Sequence, residues 1–581
     1  MIDFASIVDQ RVVSSFGARR CSTPSDNGFP TSDRIMGSRA ATSAPPEASF
    51  SVDDRRRRSS SPSPDRSLGQ WLAWQSALHP EAIVPGLDRV RPVAQTLGLE
   101  TRAASIEEPK GKSDDARPIR IVIAGTNGKG SCAAFLEAML SKAGLSVGVY
   151  TSPHLLRYNE RVRIRGEAVG DADLIEAFER VESARFEVPL TFFEFGTLAA
   201  VDLIERSRVD ISILEVGLGG RLDAVNLFDS SIALITSIDL DHCEWLGDDR
   251  ESIGREKAGI LRPRSPCIIG DRNPPRSVLE RAQALEVPCS LLVRDFEPVR
   301  SQGSLRGELG ESWHWQDAAG VGFADLPPPG LSGGHQLDNA AACVALMRTL
   351  APILPIEPAI LPDAIRQGIA CACVPGRQQI IELPAAIETG RRADSTRDSS
   401  ASKASSLRSV ATESPDKPDK GVIRLMVDVA HNPQAVRALA DRLAARSSER
   451  DIEISKEGIS LPSAKPASGG GRRPTRRAVC GILADKDAAA MLECLAPAID
   501  LWYAASLDGP RGRLGLSLLD ALPEGAKGRA FDSVEAAIEA ALAESKEDDE
   551  IVAFGSFMTV MRVLRFAAPD PCRAPDPCRE I

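Results

Sequence analysis

The chain has 581 residues, 43% of them hydrophobic and 26% charged, so it has material for a large core and more length than one ordinary domain uses. Its net charge of −11 argues against a general nucleic-acid binder, and no apolar run approaches the roughly 20 residues of a membrane helix. The 12 cysteines include no CxxC pair, which argues against zinc-ribbon or thioredoxin-like chemistry and fits reduced thiols.

Residues 1–64 are rich in Ser, Arg, Pro and Asp, with a run from Arg55 to Arg58 and no hydrophobic period. They read as a disordered tail. The first thirty residues lack the basic start, apolar core and small-residue cleavage site of a secretory signal, so the expected location is the cytoplasm. From Gly69 the pattern LGQWLAWQSALHPEAIVPGLDRVRPVAQTLGL predicts two helical stretches broken at Pro80 and Pro85, with Trp71 and Trp74 on one face as core.

The segment IRIVIAGTNGKGS follows, running directly into CAAFLEAMLSKAG. An apolar strand gives way to Gly125, Gly128 and Gly130 around Lys129, then to helical spacing at Phe135, Leu136, Met139 and Leu140. Glycines let the backbone turn sharply with its N–H groups inward, and the following helix adds the positive end of its dipole. Such a loop suits phosphate, with Lys129 reaching the terminal phosphates and Ser131 lying near Mg²⁺. The spacing differs from GxxxxGK[ST], since the hydroxyl comes two residues after the lysine.

Further on, SVGVYTSPHL, ISILEVGLGG, IALITSIDLDHC and CIIG read as strands separated by the helical patterns DADLIEAFERVE and LTFFEFGTLAAVDLIE. Alternating units predict an α/β fold with a doubly wound, mostly parallel sheet. Open sheets of this kind bind ligands at the carboxyl ends of their strands, where Ser152, Glu215, Asp241 and His242 fall. Together with the loop they suggest Mg²⁺, although histidine is an uncommon ligand for it. Lys257, in IGREKAGIL, reads on its own as a helix lysine, solvated or paired with Glu251 or Glu256. Cys371 and Cys373, if on a strand, share a face and pack inward.

PGRQQIIELP opens a second unit, continued by GVIRLMVDVAHNPQAVRALADRLAA, AVCGILADKD, LWYAAS and IVAFGSF. Strands again alternate with helices, predicting a smaller α/β (Rossmann-like) domain whose Asp428 and His431 sit at a strand's carboxyl end. Residues about 299–325 read as a variable strand and loop region, 389–420 and about 455–476 as low-complexity insertions, and 568–581 as a frayed tail with APDPCR twice in succession. The expected division is therefore a tail at 1–64, an ATP-binding domain at 65–374, a second domain at 375–567 and a tail at 568–581. Residue types alone allow a triad of Ser556, His431 and Asp428, but no GxSxG elbow supports it.

In order, the chain carries AGTNGKGS, TSPHL with YNERVRI, FFEFGT, EVGLGGRLDAVN, DHCEWLG and GREKAGIL, then HQLDNAA, PGRQQ, VDVAHNPQA, GILADKD, LDGPRGR and FGSF. In these motifs it resembles the folylpolyglutamate synthase and dihydrofolate synthase family of the Mur ligase superfamily. The resemblance implies an ATP-dependent ligase joining L-glutamate to a pterin acid, either 7,8-dihydropteroate or a tetrahydrofolate species. It also implies an acyl-phosphate intermediate, two Mg²⁺ sites, K⁺ and a monomer. The LDAVN and LDGPRG stretches resemble the bifunctional bacterial type.

Carried over by resemblance, Gly128, Lys129, Gly130 and Ser131 hold the ATP phosphates, Asn339 meets the adenine, and Arg377 and Asp428 reach the nucleotide from the second unit. Ser152, Glu215 and His242 bind metal, and Lys257 matches a carbamylated lysine that supports the second ion. Lys129, Lys257, Asp428 and His431 form the expected catalytic set, and Asp428, His431 and Ser556 the glutamate set. The pterin acid would meet Ile83, Val84 and Pro85, the segment Phe192, Phe193, Glu194 and Phe195, and Leu222, Asp223 and Ala224. Pro85 and Leu261 depart from the residues usual there. Competing readings are a polyglutamylating enzyme only, a Mur ligase acting on a nucleotide-linked sugar, and a nucleotide-binding regulator that does not ligate.

Overall fold

The computed structural model describes residues 66–103, 117–300, 312–384, 422–457 and 474–567. Both expected tails lie outside these residues, as does the insertion at 389–420.

The first sheet is built from β1 (Ile119–Ala124), β2 (Val147–Tyr150), β3 (Val162–Ile164), β4 (Glu167–Ala168), β5 (Ile211–Glu215), β6 (Ile232–Ile235), β7 (Cys267–Ile269) and β8 (Cys289–Leu291). Its order is β4-β3-β2-β5-β1-β6-β7-β8, parallel from β2 to β8 with an antiparallel edge at β3 and β4. β1 is buried along its whole length because helices cover both faces, which is why IRIVIA lacks polar alternation. The helix Lys129–Lys142 packs against the helix Leu361–Cys371 at Gly368, where a Cβ would lie 2.6 Å from the backbone nitrogen of Met139. That glycine lets the two helices meet backbone to backbone, fixing the helix that carries the phosphate loop.

A three-stranded antiparallel sheet follows, from β9 (Phe296–Arg300), β10 (Trp313–Asp317) and β11 (Gly322–Leu326). Residues 301–311 of the region expected as variable strand and loop lie outside the described residues, and the described part forms these strands, held by Trp313 and Trp315 in the core. The second large sheet comprises β12 (Gln379–Pro384), β13 (Val422–Asp428), β14 (Arg476–Cys480), β15 (Leu501–Ala505), β16 (Gly528–Phe531) and β17 (Glu550–Phe554). Its order is β12-β13-β17-β14-β15-β16, parallel except at β12. The α/β class with two mostly parallel sheets is as expected.

Two local expectations are corrected. Cys371 ends a helix rather than lying on a strand, and both Cys371 and Cys373 are half-buried. The helix Pro433–Glu457 and β14 intrude on the bounds given for the second insertion, because the helix that contains VRALADRLAA runs on to Glu457. The helices Leu68–Leu78 and Val90–Thr96 flank Pro80 and Pro85 as predicted, and Trp71 meets Trp74 edge-on at 5.5 Å.

Candidate active site

The phosphate loop lies between β1 and the helix Lys129–Lys142. Gly128 has φ +89°, and a Cβ there would sit 2.6 Å from Asn339 Oδ1; a Cβ on Gly125 would sit 1.7 Å from Thr236 Oγ1. Both glycines are required, the first by conformation and contact and the second by contact alone. Lys129 Nζ donates to the carbonyls of Gly125 (3.0 Å) and Thr126 (3.2 Å), closing over its own loop. Gln336 Nε2 donates to Ser131 Oγ at 3.2 Å, while Gln336 Oε1 accepts from Asn339 Nδ2 at 3.0 Å. One buried glutamine thus fixes the serine expected at the phosphates and the asparagine expected at the adenine.

Glu215 ends β5, next to β1 in the sheet, and is 5% exposed. It accepts from Ser152 N at 3.3 Å and makes no ion pair among the described residues. Burial raises its carboxyl, against the pull of the Lys129 and Arg377 charges. Lys257 is 3% exposed and also makes no ion pair among the described residues. Burial and the Lys129 charge lower its amine to about 7. The solvated or paired lysine allowed by the sequence does not occur: Glu256 pairs with Arg221, and Glu251 accepts from the backbone of Arg276 and Ser277.

His242 stands at φ +51° after β6, its ring lowered to about 4 by desolvation and by the Lys486 and His431 charges. No cluster of three or more His, Cys, Asp or Glu able to hold a metal forms among the described residues. The predicted set of Ser152, Glu215, His242 and Lys257 contains only two residues of those types. A phosphate-bound Mg²⁺ needs few protein donors, because phosphate and water fill the rest of its shell. A buried carboxylate and a buried amine, both without counterions, fit such a site, the amine once converted to an anion.

The second sheet faces this site. Asp428, at the end of β13, is 5% exposed and accepts from Ala430 N at 3.0 Å. Burial raises its carboxyl to about 6, against the Arg377 charge. Burial lowers the Arg377 guanidinium, whose Cζ lies 5.6 Å from the ring centre of Phe557. The His431 ring lies 6.0 Å from the same ring, with Nδ1 2.9 Å from the carbonyl of Val429 and Nε2 3.6 Å from Asp241 Oδ2. Ser556 Oγ accepts from Thr559 N at 3.1 Å and lies 2.8 Å from Thr559 Oγ1, capping the helix Phe557–Ala567. Neither Ser556 nor Asp428 hydrogen-bonds to His431 among the described residues, so no triad exists.

The residues expected at the pterin acid divide in two. Glu194 accepts from Thr191 N (2.8 Å) and from Arg89 Nη2 (2.6 Å), and Phe195 is fully buried between Trp74 (5.9 Å) and Phe178 (5.8 Å). Both side chains are buried in the protein interior. Phe192, Phe193 and Leu222 are half-buried, as are Ile83 and Val84, while Pro85 is exposed. Gly86 N donates to the carbonyl of Leu222 at 3.2 Å, which brings the first and third segments together. Asp223 accepts from the backbone of Gly217 (3.1 Å), Leu218 (2.9 Å) and Val225 (2.9 Å), and burial holds its carboxyl up at about 6. Ala224 is buried behind it.

Residues 467–557 match the family model described as Mur ligase, glutamate ligase domain. The dihydrofolate synthase/folylpolyglutamate synthase of Escherichia coli strain K12 is 38% identical over 497 residues, 86% of this chain and 94% of that protein. The chain belongs to the dihydrofolate synthase/folylpolyglutamate synthase family. A structure of E. coli FolC with DHPP and ADP superposes at TM-score 0.66 and 36% identity, covering 87% of this chain and 98% of that one. A bifunctional folylpolyglutamate synthase/dihydrofolate synthase with Mn, AMPPNP and L-glutamate gives TM-score 0.64 at 35% identity, covering 87% and 98%.

For this member of the family, the sequence reading missed Asn127, Gln336, Asn432, Lys486 and Phe557. All five lay inside quoted motifs, but nothing local distinguished them; Lys486, in the loop that follows the carboxyl end of β14, is where an open sheet places functional residues.

Proposed function

We propose that the protein is an ATP-dependent ligase that adds L-glutamate to 7,8-dihydropteroate and to the γ-carboxylate of tetrahydrofolate species. The observation that carries this reading is the meeting of the two sheets. The phosphate loop and Glu215 stand on one side of a cleft, and Arg377, Asp428 and His431 on the other, with the Arg377 charge felt at Glu215.

The acceptor carboxylate attacks the γ-phosphorus of ATP and ADP leaves. The glutamate amine, having lost its ammonium proton, then attacks the acyl carbon, and inorganic phosphate departs as the amide forms. Lys129 leaves the carbonyls of Gly125 and Thr126 for the transferred phosphoryl group, whose charge is also met by the loop N–H groups. His431, its Nδ1 held at the carbonyl of Val429 and its Nε2 facing Asp241, orients the incoming amine. Phe192, Phe193, Leu222 and the loop Ile83–Pro85 hold the pterin acid, and Asp223 keeps their loop in shape.

Ser152, Glu215 and His242 would hold Mg²⁺, with Lys257 as a carbamate supporting a second ion, and the metal would supply charge neutralisation at the phosphates. K⁺, a monomeric state and a cytoplasmic location complete the proposal; no helix among the described residues is long and apolar enough to cross a membrane. We take 65–374 as the ATP-binding domain and 375–567 as the glutamate-ligase domain.

The test is ATP-dependent phosphate release by purified protein with L-glutamate and either 7,8-dihydropteroate or tetrahydrofolate, with products identified by mass. One added glutamate on both acceptors is expected. Activity on one acceptor alone assigns the narrower enzyme, and none on either overturns the reading.

A further inference from the structure

Asn432 is 2% exposed and lies beside His431, yet its amide reaches three separate elements. Its Oδ1 accepts from Ala435 N at 2.9 Å, capping the helix Pro433–Glu457. Its amide also forms a reciprocal pair with Asn127 of the phosphate loop: Asn432 Nδ2 donates to Asn127 Oδ1 and Asn127 Nδ2 to Asn432 Oδ1, both at 3.1 Å. The remaining Nδ2 hydrogen points to Asp241 Oδ2 at 3.3 Å, in the loop that carries His242. Every hydrogen-bonding group of the amide is used, and the carboxylate and the backbone N–H fix which end is oxygen.

The contact is reinforced from two residues further along the chain. Gln434 Oε1 accepts from Asn127 Nδ2 at 2.5 Å and from Ser237 Oγ at 3.4 Å. Asn127 directly precedes Gly128, so its side chain moves with the loop backbone that cradles phosphate.

We propose that Asn432 is a positioning residue that couples the phosphate loop to His431, so that the amine-orienting histidine is seated only when the two sheets are docked through Asn127. The inference rests on the ligase reading. It adds that glutamate use depends on an amide pair that touches neither glutamate nor nucleotide. A flexible hinge between the sheets would leave His431 free to wander from the acyl centre, and misplacement of that order is costly to a bimolecular step. The pair removes that freedom without occupying the cleft.

The two duties of Asn432, capping and coupling, separate by substitution. Asn432→Asp keeps the cap oxygen but sets an anion against Asp241 and removes both donors. Asn432→Ser keeps the cap alone. If capping were the whole role, both variants would behave as wild type. The coupling role predicts that each melts close to wild type and binds ADP with near wild-type affinity. It also predicts that kcat/KM for glutamate falls at least about tenfold, most in Asn432→Asp.

The wild-type protein is assayed first. If it forms no glutamate product, the ligase reading fails. If it does, and Asn432→Asp and Asn432→Ser retain full glutamate kcat/KM, the coupling is overturned.

Discussion

Lys486 Nζ lies 2.5 Å from Asp241 Oδ1, joining the loop after β14 in the second sheet to the loop after β6 in the first. The two side chains are 6% and 8% exposed, so the pair is shielded from solvent and salt. Burial would raise the Asp241 carboxyl, but the hydrogen bond from His431 and the charges of His242, His431 and Lys486 hold it well below the usual range.

Removing one partner should leave the other buried without its counterion. Lys486→Met is expected to cost about 3–5 kcal/mol in urea unfolding, the range for breaking a buried pair. Lys486→Arg should cost less, because it keeps the charge. An unchanged unfolding midpoint in Lys486→Met would mean that the ion pair does not hold the sheets together.

This pair also marks the limit of what the sequence reveals. The strand, loop and helix around Gly125–Ser131 were legible because an apolar run, three glycines and a helical period are local signals. Lys486 and Asp241 are 245 residues apart, and no periodicity connects them. In FFEF, the sequence shows that Phe192 and Phe195 share a helix face but not which rings meet ligand. Packing against Trp74 and Phe178 decides it for Phe195. Ser556 was read as a glutamate contact, and its hydroxyl caps a helix whose start the motif FGSF does not advertise.

Gly128→Ala should disable nucleotide binding while sparing the fold. A side chain there must adopt φ +89° and bring its Cβ within 2.6 Å of Asn339 Oδ1. The conformation alone costs about 1–3 kcal/mol, and the contact displaces the residue expected at the adenine. ADP affinity should fall at least about tenfold, a loss of about 1.4 kcal/mol. Titration calorimetry giving the wild-type constant would show that the loop tolerates a Cβ.

Phe557 is the shared support of Arg377 and His431, at 5.6 Å and 6.0 Å. Phe557→Leu keeps an apolar side chain but loses the ring face, so the guanidinium forfeits about 0.5–2 kcal/mol of cation–π attraction. Turnover should fall, and Phe557→Tyr should retain it. Equal kcat in the Leu and Tyr variants would remove the ring from the account of how these two residues are held.

Lys257 offers the sharpest dependence on pH. Its amine is lowered from 10.5 to about 7, so the folded protein refuses a proton that the unfolded chain binds between those values. Stability therefore rises with pH from about 7 towards 10.5, and below about 7 the folded state carries a buried ammonium at full cost. In buffer free of carbon dioxide, Lys257→Met should be more stable than wild type at pH 6, and the advantage should shrink as pH climbs through that window. The same depressed amine leaves free base near neutral pH, which is the form that carbon dioxide attacks. Labelled bicarbonate should thus give a carbamate carbon signal in wild type that Lys257→Met lacks, and the variant should lose turnover by at least about tenfold to a hundredfold, as loss of support around a metal does. A stability difference that does not change with pH would place the amine in solvent. A missing carbamate signal alongside full wild-type activity would show that the reaction proceeds with the free lysine.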